Sequence, residues 1–332
     1  MAANDISSLT ATAITHQRDL QYLPYSEMAP VLGMLGIKLY PGVQNKHSMT
    51  NYLRAAGIAR PYVQGTIEES QVGKAEEKVL ETHLAYANVK DNIQNYKTVS
   101  VGPDVLLGKN KTKKHPWELV MLTSVIRTFA EDVLDALFHG VRNTSTRTPI
   151  GLFNGYNKII DDAISGGGIA ENKSNYFETG AITSDNAYAK LLGMWRAADP
   201  LFRNARSIMI VPQNVGDKYD DNYFATYKYK PTLDNYGNTV LDGTGGRCTI
   251  VRTPYQGGSR VILTVPGNFH FGFDSMADQT FVQVRTPYED PNFVQLWIQA
   301  AYGTRILNFH RKVFMVNEQS AAVTAYSGDF TS

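Results

Sequence analysis

The sequence predicts an α+β chain with one long helix that can serve as the spine of an elongated subunit. Three observations carry this. Leu119, Leu122, Ile126, Phe129, Val133 and Leu137 recur at three- and four-residue spacing, the apolar stripe of an amphipathic helix. Ahead of it, two strand-like segments flank an acidic stretch. Beyond about residue 246, short strand patterns alternate with turn residues.

The first 47 residues read as an arm. Prolines 24, 30 and 41 fix φ and remove donors, which favours extended backbone. The apolar run Val31-Leu32-Gly33-Met34-Leu35-Gly36-Ile37 predicts that this arm docks on a partner. Ser48 to Leu53 and Val79 to Tyr86 then have the β-branched and aromatic content of strands. Between them, Gly65 to Lys78 carries Glu68, Glu69, Glu76 and Glu77. The expectation is a long hairpin with an acidic tip, held by something outside the subunit because an isolated hairpin is barely stable in water. Gly108 to His115 is basic, with Lys109, Lys111, Lys113 and Lys114. Such a run is either a solvated loop or the partner of a neighbouring subunit's acidic tip.

The helix follows at once. Pro116 suits a first helical position and Gly140 a C-cap, giving a rod over 116–140 about 36 Å long. Gly166-Gly167-Gly168 marks a flexible loop. A second helix is expected from about Asp185, with Tyr188, Leu191, Leu192 and Trp195 on one face, until Pro200. Ser207 to Pro212 reads as a buried strand and Asn214 to Tyr227 as a helix, followed by a Gly/Asp/Asn-rich loop to Gly246. Strands are expected at 249–252, 260–264 and 281–284. Two longer ones, 292–302 and 304–316, are expected with Gly303 as their turn.

Composition narrows the function. The chain has 332 residues, 43% of them hydrophobic, enough for one large or two modest domains. Its net charge of +1 argues against a protein that grips nucleic acid by neutralising phosphates. The 19 tyrosines suit surfaces that must be both adhesive and wet. Cys248 is the only cysteine, so neither an intramolecular disulfide nor a cysteine zinc site is expected. No signal-peptide pattern opens the chain and no run reaches the roughly 20 apolar residues of a membrane span, so a cytoplasm-like compartment without membrane is expected.

The chemistry of an active site is missing from the pattern. Gly102 to Lys109 has one residue too many between its glycines for a phosphate loop, and Asn110 stands where Ser or Thr must hold magnesium. The seven histidines are scattered, with no pair at i, i+4 spacing. Asp161-Asp162 and Asp220-Asp221 are adjacent pairs, which on a helix do not share a face. No enzyme activity, cofactor or metal is expected.

The order of elements resembles the HK97-fold major capsid proteins of tailed bacteriophages. Ala136-Leu137-Phe138-His139-Gly140 followed by Gly151-Leu152-Phe153-Asn154-Gly155 looks like that family's glycine-rich closure of the spine helix. Arg206 to Pro212, Leu263 to Phe269, Gly303 to Ile306 and Val313-Phe314 resemble further strands of the fold. The resemblance implies an HK97-like capsid fold with N-terminal arm (1–47), extended β-hairpin loop (48–95) and mixed α/β axial domain (155–275). A peripheral domain would join 96–154 and 276–332 around the spine helix. It also implies a structural protein of the virion that self-assembles as pentamers and hexamers into an icosahedral shell around double-stranded DNA. Expected partners are itself and a portal protein, with or without a separate scaffolding protein and cement proteins, and assembly is expected in the host cytoplasm. Cleavage of an N-terminal scaffolding segment and Lys–Asn cross-linking are not expected. The inter-subunit contacts proposed from charge are Glu68, Glu69, Glu76 and Glu77 against Lys109, Lys111, Lys113 and Lys114. An encapsulin-type nanocompartment shell, a tail protein and a soluble α/β enzyme are the other readings.

Overall fold

The computed structural model describes residues 17–54, 59, 73–92, 117–234, 237–258, 260–274, 281–285 and 293–318. In chain order the N-terminal half gives α1 (Gln17–Met34), β1 (Lys38–Tyr40), β2 (Lys46–Arg54), β3 (Gly73–Glu81), β4 (His83–Asn92) and the spine helix α2 (Trp117–His139). Then come α3 (Tyr156–Ser165), β5 (Tyr176–Glu178), α4 (Ala187–Ala197), α5 (Pro200–Asn204), β6 (Ser207–Pro212) and α6 (Gln213–Tyr227). The remainder is β7 (Thr239–Val240), β8 (Cys248–Thr253), β9 (Ile262–Thr264), β10 (Phe269–Phe273), β11 (Phe281–Arg285), β12 (Phe293–Ile306) and β13 (Phe314–Glu318).

The spine forms where its apolar stripe predicts. Leu122, Ile126, Phe129, Val133 and Leu137 are buried against a five-stranded sheet. The central strand of that sheet, β12, alternates half-buried and buried positions from 293 to 302, so Val294, Leu296, Ile298, Ala300 and Tyr302 face the core. Phe129 and Tyr302 pack with ring centroids 6.2 Å apart. One edge of β12 pairs antiparallel with β4, and the other with β11 and β10, beyond which β1 runs parallel to β10.

Gly140 does close the spine, but not as a left-handed cap. It is absent from the residues with positive φ. Its backbone instead meets that of Gly155, whose N–H donates to the Gly140 carbonyl at 2.8 Å. A Cβ on Gly140 would run into the Phe153 carbonyl, and one on Gly155 would lie 2.6 Å from that of Ala136. Two glycines are needed here because two backbones touch.

The N-terminal arm departs from expectation. Residues 17–34 are helical through both Pro24 and Pro30. Leu20, Met28 and Leu32 are buried with Leu35 and Ile37 in the core shared with the spine, and Glu27 accepts a 2.9 Å hydrogen bond from Arg127 on it. Two interior prolines cost a helix about 3 kcal/mol apiece. Burying five aliphatic side chains returns roughly 1.5–3 kcal/mol each, so packing outweighs propensity. Leu32, Leu35 and Ile37 of the apolar run are thus buried within their own subunit, whereas Met34 stays exposed.

A six-stranded mixed sheet in the order β5-β13-β9-β6-β8-β7 forms the second lobe. Every residue of β6 is buried, as its apolar run predicts. α4 and α6 bring Leu191, Met194, Val215, Tyr219 and Tyr223 into its core. Pro200 does not simply stop α4. It opens α5, where the Asp199 carboxylate accepts from the Leu201 N–H at 2.9 Å. Gly303 is not a turn either, since β12 runs straight through it to Ile306. β13 then enters the second sheet, beside β5 and β9, rather than pairing back on β12. The chain therefore crosses between the two sheets repeatedly.

Candidate assembly surfaces

Strands β2 and β3 form the predicted antiparallel hairpin, in register from Lys46↔Glu81 to Arg54↔Gly73, and pair with no other strand among the described residues. The expected return strand 79–86 is broken at Thr82. Its side chain donates to the Val43 carbonyl at 3.0 Å, and its N–H to the Asn45 carbonyl at 2.8 Å. β3 ends there, and β4 leaves to join the five-stranded sheet.

What the hairpin rests on is a pair of glycines that sequence reading missed. Gly272 on β10 and Gly303 on β12 are register partners. A Cβ on Gly272 would lie 2.7 Å from Leu80 Cδ2, and one on Gly303 would strike the Glu81 carbonyl. The root of β3 thus lies across a bare patch of the sheet. Val43, Met49 and Leu80 make a small buried cluster there, with Tyr40 and Leu307 against it. The Val43 N–H ties it to the Phe273 carbonyl at 3.1 Å. Gly303 alone reads as a turn; only the pairing of 269–273 with 302–306 reveals the seat.

The acidic residues divide. Glu68 and Glu69 lie outside the described residues, as do Lys109, Lys111, Lys113 and Lys114. Glu76 and Glu77 are not at a tip but within β3, opposite Asn51 and Thr50. Both are engaged inside the hairpin, Glu76 with Lys78 at 3.4 Å and Glu77 with the Ser48 hydroxyl. Alternation along the strand points them to opposite faces.

Among the described residues, two groups of exposed apolar side chains cluster with neighbouring rings. On the face of the sheet away from the spine, Leu84 and Tyr86 of β4 are each 57% exposed. Tyr86 stacks on Trp297 at 5.2 Å and 11°. Lys90 sits 5.1 Å over the Phe293 ring. In the second lobe, Tyr188, Tyr219, Tyr223, Tyr227 and Tyr229 pack ring on ring beside Asp242, which accepts from the Tyr223 hydroxyl at 3.0 Å. Burial, and then the hydrogen bond with Tyr227, push the Tyr188 phenol up to about 12. Phe224, Tyr229 and Leu233 are exposed around this cluster. Tyrosine abundance signalled an adhesive protein, but not where the rings would meet.

The acid doublets diverge as adjacent helical positions must. Asp161 binds Arg260 at 2.6 Å, whereas Asp162 binds Lys158. Among the described residues, no group of three His, Cys, Asp or Glu is placed to hold a metal. Cys248 is buried, and burial pushes its thiol up to about 12, so it is held as the unreactive thiol.

No family model and no curated protein matches the sequence. Solved structures do match over nearly its full length. A cyanophage A-1(L) capsid subunit superposes with a TM-score of 0.56 at 10% identity, covering 86% of this chain and 91% of that one. A subunit from the satellite phage P4 procapsid, solved with its size-determination protein, gives 0.53 at 13% identity over 89% and 98%. A capsid subunit of an empty GTA particle gives 0.53 at 12% over 86% and 89%. Arm, hairpin, spine helix and second lobe thus make up an HK97-like capsid fold.

Proposed function

We propose that this chain is the major capsid protein of a tailed bacteriophage. It self-assembles as pentamers and hexamers into an icosahedral shell that encloses double-stranded DNA, without sequence-specific binding. Its place is the virion, reached by assembly in the host cytoplasm with a portal protein, with or without a separate scaffolding protein and cement proteins. Its role is structural, with no catalytic step. The observation that carries this reading is the likeness to capsid subunits, which spans 86–89% of this chain and 89–98% of theirs.

The charge pairing proposed between subunits sets Glu68, Glu69, Glu76 and Glu77 against Lys109, Lys111, Lys113 and Lys114, with Glu76 and Glu77 also engaged inside their own hairpin. Reversing those four lysines should lower particle yield while leaving the fold intact; unchanged yield sinks the pairing. The reading as a whole is tested by negative-stain electron microscopy of the protein expressed with and without its neighbouring genes. Closed polyhedral shells, or free pentamers and hexamers, are expected, and packaged DNA distinguishes a phage capsid from a cellular compartment. A monomer that assembles with no partner overturns it.

A further inference from the structure

His270 is buried, at 2% exposure, beneath the root of the hairpin. Its Nε2 lies 3.0 Å from the Gly267 carbonyl, which can only accept, so Nε2 carries the ring hydrogen of the neutral form. That leaves Nδ1 facing the thioether of Met49 on β2 at 2.8 Å. A proton placed on Nδ1 would meet a weak acceptor and no carboxylate.

Burial and the cations near the ring oppose that proton. Lys38 is the register neighbour on β1, and Arg305 the register partner on β12. Tyr40 of β1 packs on the ring at 5.0 Å, and His47 of β2 packs on Tyr40 at 5.3 Å. β3 offers Glu81, but its carboxylate is held by Lys46 at 2.8 Å. Beneath the strand, the Tyr156 hydroxyl donates to the His270 carbonyl.

We infer that His270 is a proton-sensitive latch for the hairpin: neutral, it seats the root of β2 and β3 on the sheet; charged, it releases that root. Burial first, and then Lys38 and His47, hold the imidazole below its ordinary value of 6.5, against an opposing contribution from the Gly267 carbonyl. The sign follows. The unfolded or released chain takes up the proton first, so seating is complete above about pH 6.5 and is lost as pH falls through the lower folded value.

The latch is internal to one subunit, so its test does not depend on assembly. Hydrogen–deuterium exchange of the full chain, corrected for the intrinsic pH dependence of exchange, is followed from about pH 8 to about pH 5. The reporters are the Val43 amide, bonded to the Phe273 carbonyl of the sheet, and the Asn45 and Thr82 amides, which close the root above it. Their protection should be lost on the acid side while the spine helix keeps its own. His270→Gln, which retains a donor for Gly267 and takes no proton, should give a flat profile. Lys38 is exposed, and Lys38→Gln should shift the loss to higher pH without disturbing the core. Root protection that is constant across the range, or lost equally in His270→Gln, overturns the inference. So does an unmoved midpoint in Lys38→Gln, which decides the matter even where His270→Gln does not fold.

Discussion

Gly272 and Gly303 face each other across β10 and β12, and the Leu80 side chain and Glu81 backbone lie on the gap they leave. The two added methyls would meet different obstacles. At Gly272 the obstacle is the end of the Leu80 side chain, which can turn away; at Gly303 it is a carbonyl of the main chain, which cannot without moving the hairpin. Gly303→Ala should therefore cost about 3 kcal/mol and Gly272→Ala about 1 kcal/mol by chemical denaturation. Equal costs would mean that the hairpin is free to lift.

Pro30 offers a test of the arm. In α1 it is exposed and interrupts the helical hydrogen bonding, so Pro30→Ala should stabilise the protein by roughly 1 kcal/mol or more in thermal unfolding. In an extended arm the same change would be neutral or unfavourable, because it only frees the unfolded chain.

Asp161 and Asp162 should separate sharply despite being neighbours. Arg260 is 8% exposed in its side chain and depends on Asp161, so Asp161→Ala leaves a buried guanidinium with only the Asn157 carbonyl and costs about 2 kcal/mol. Asp162→Ala removes an exposed i, i+4 pair with Lys158 and should cost about 0.3–0.5 kcal/mol. Urea denaturation of the two variants makes the comparison.

Asp132, half-buried on the spine helix, is raised from 3.8 to about 6, by burial first and then by the charges of Asp135 and Glu131. Its ionised form is disfavoured in the fold, so the penalty is absent below about pH 4, grows through the window to about pH 6, and is full above it. Asp132→Asn should stabilise the protein by on the order of 1 kcal/mol near pH 7, after allowance for solvent screening, and should have no effect near pH 4. Parallel melting curves at the two pH values read the difference.

The spine, β6 and α6 were legible in the sequence because each is a continuous pattern whose burial matches its period. Long-range closure was not. The run Phe269-His270-Phe271-Gly272-Phe273 is buried at every position like β6, but His270 and Gly272 interrupt the continuous apolar run that made β6 readable. The arm helix was hidden by its prolines, whose local cost is overcome only by a spine that lies about a hundred residues away. For the candidate surfaces, charge runs gave the residues but not their setting. Glu76 and Glu77 stand in a strand because Asn51 and Thr50 lie opposite them, which no local pattern encodes.

The pairing of β4 with β12 also has a consequence for how the polypeptide is made. Residues 83–92 have their strand partner at 293–302, about 200 positions later. At ribosomal rates of roughly 5–20 residues per second, the nascent chain waits on the order of 10–40 s with Leu84 and Tyr86 on an unpaired strand. During that interval many copies translated together can add edge to edge in the wrong register. Yield in a heterologous host should therefore rise with slower initiation or added chaperone more than with any change to the finished subunit.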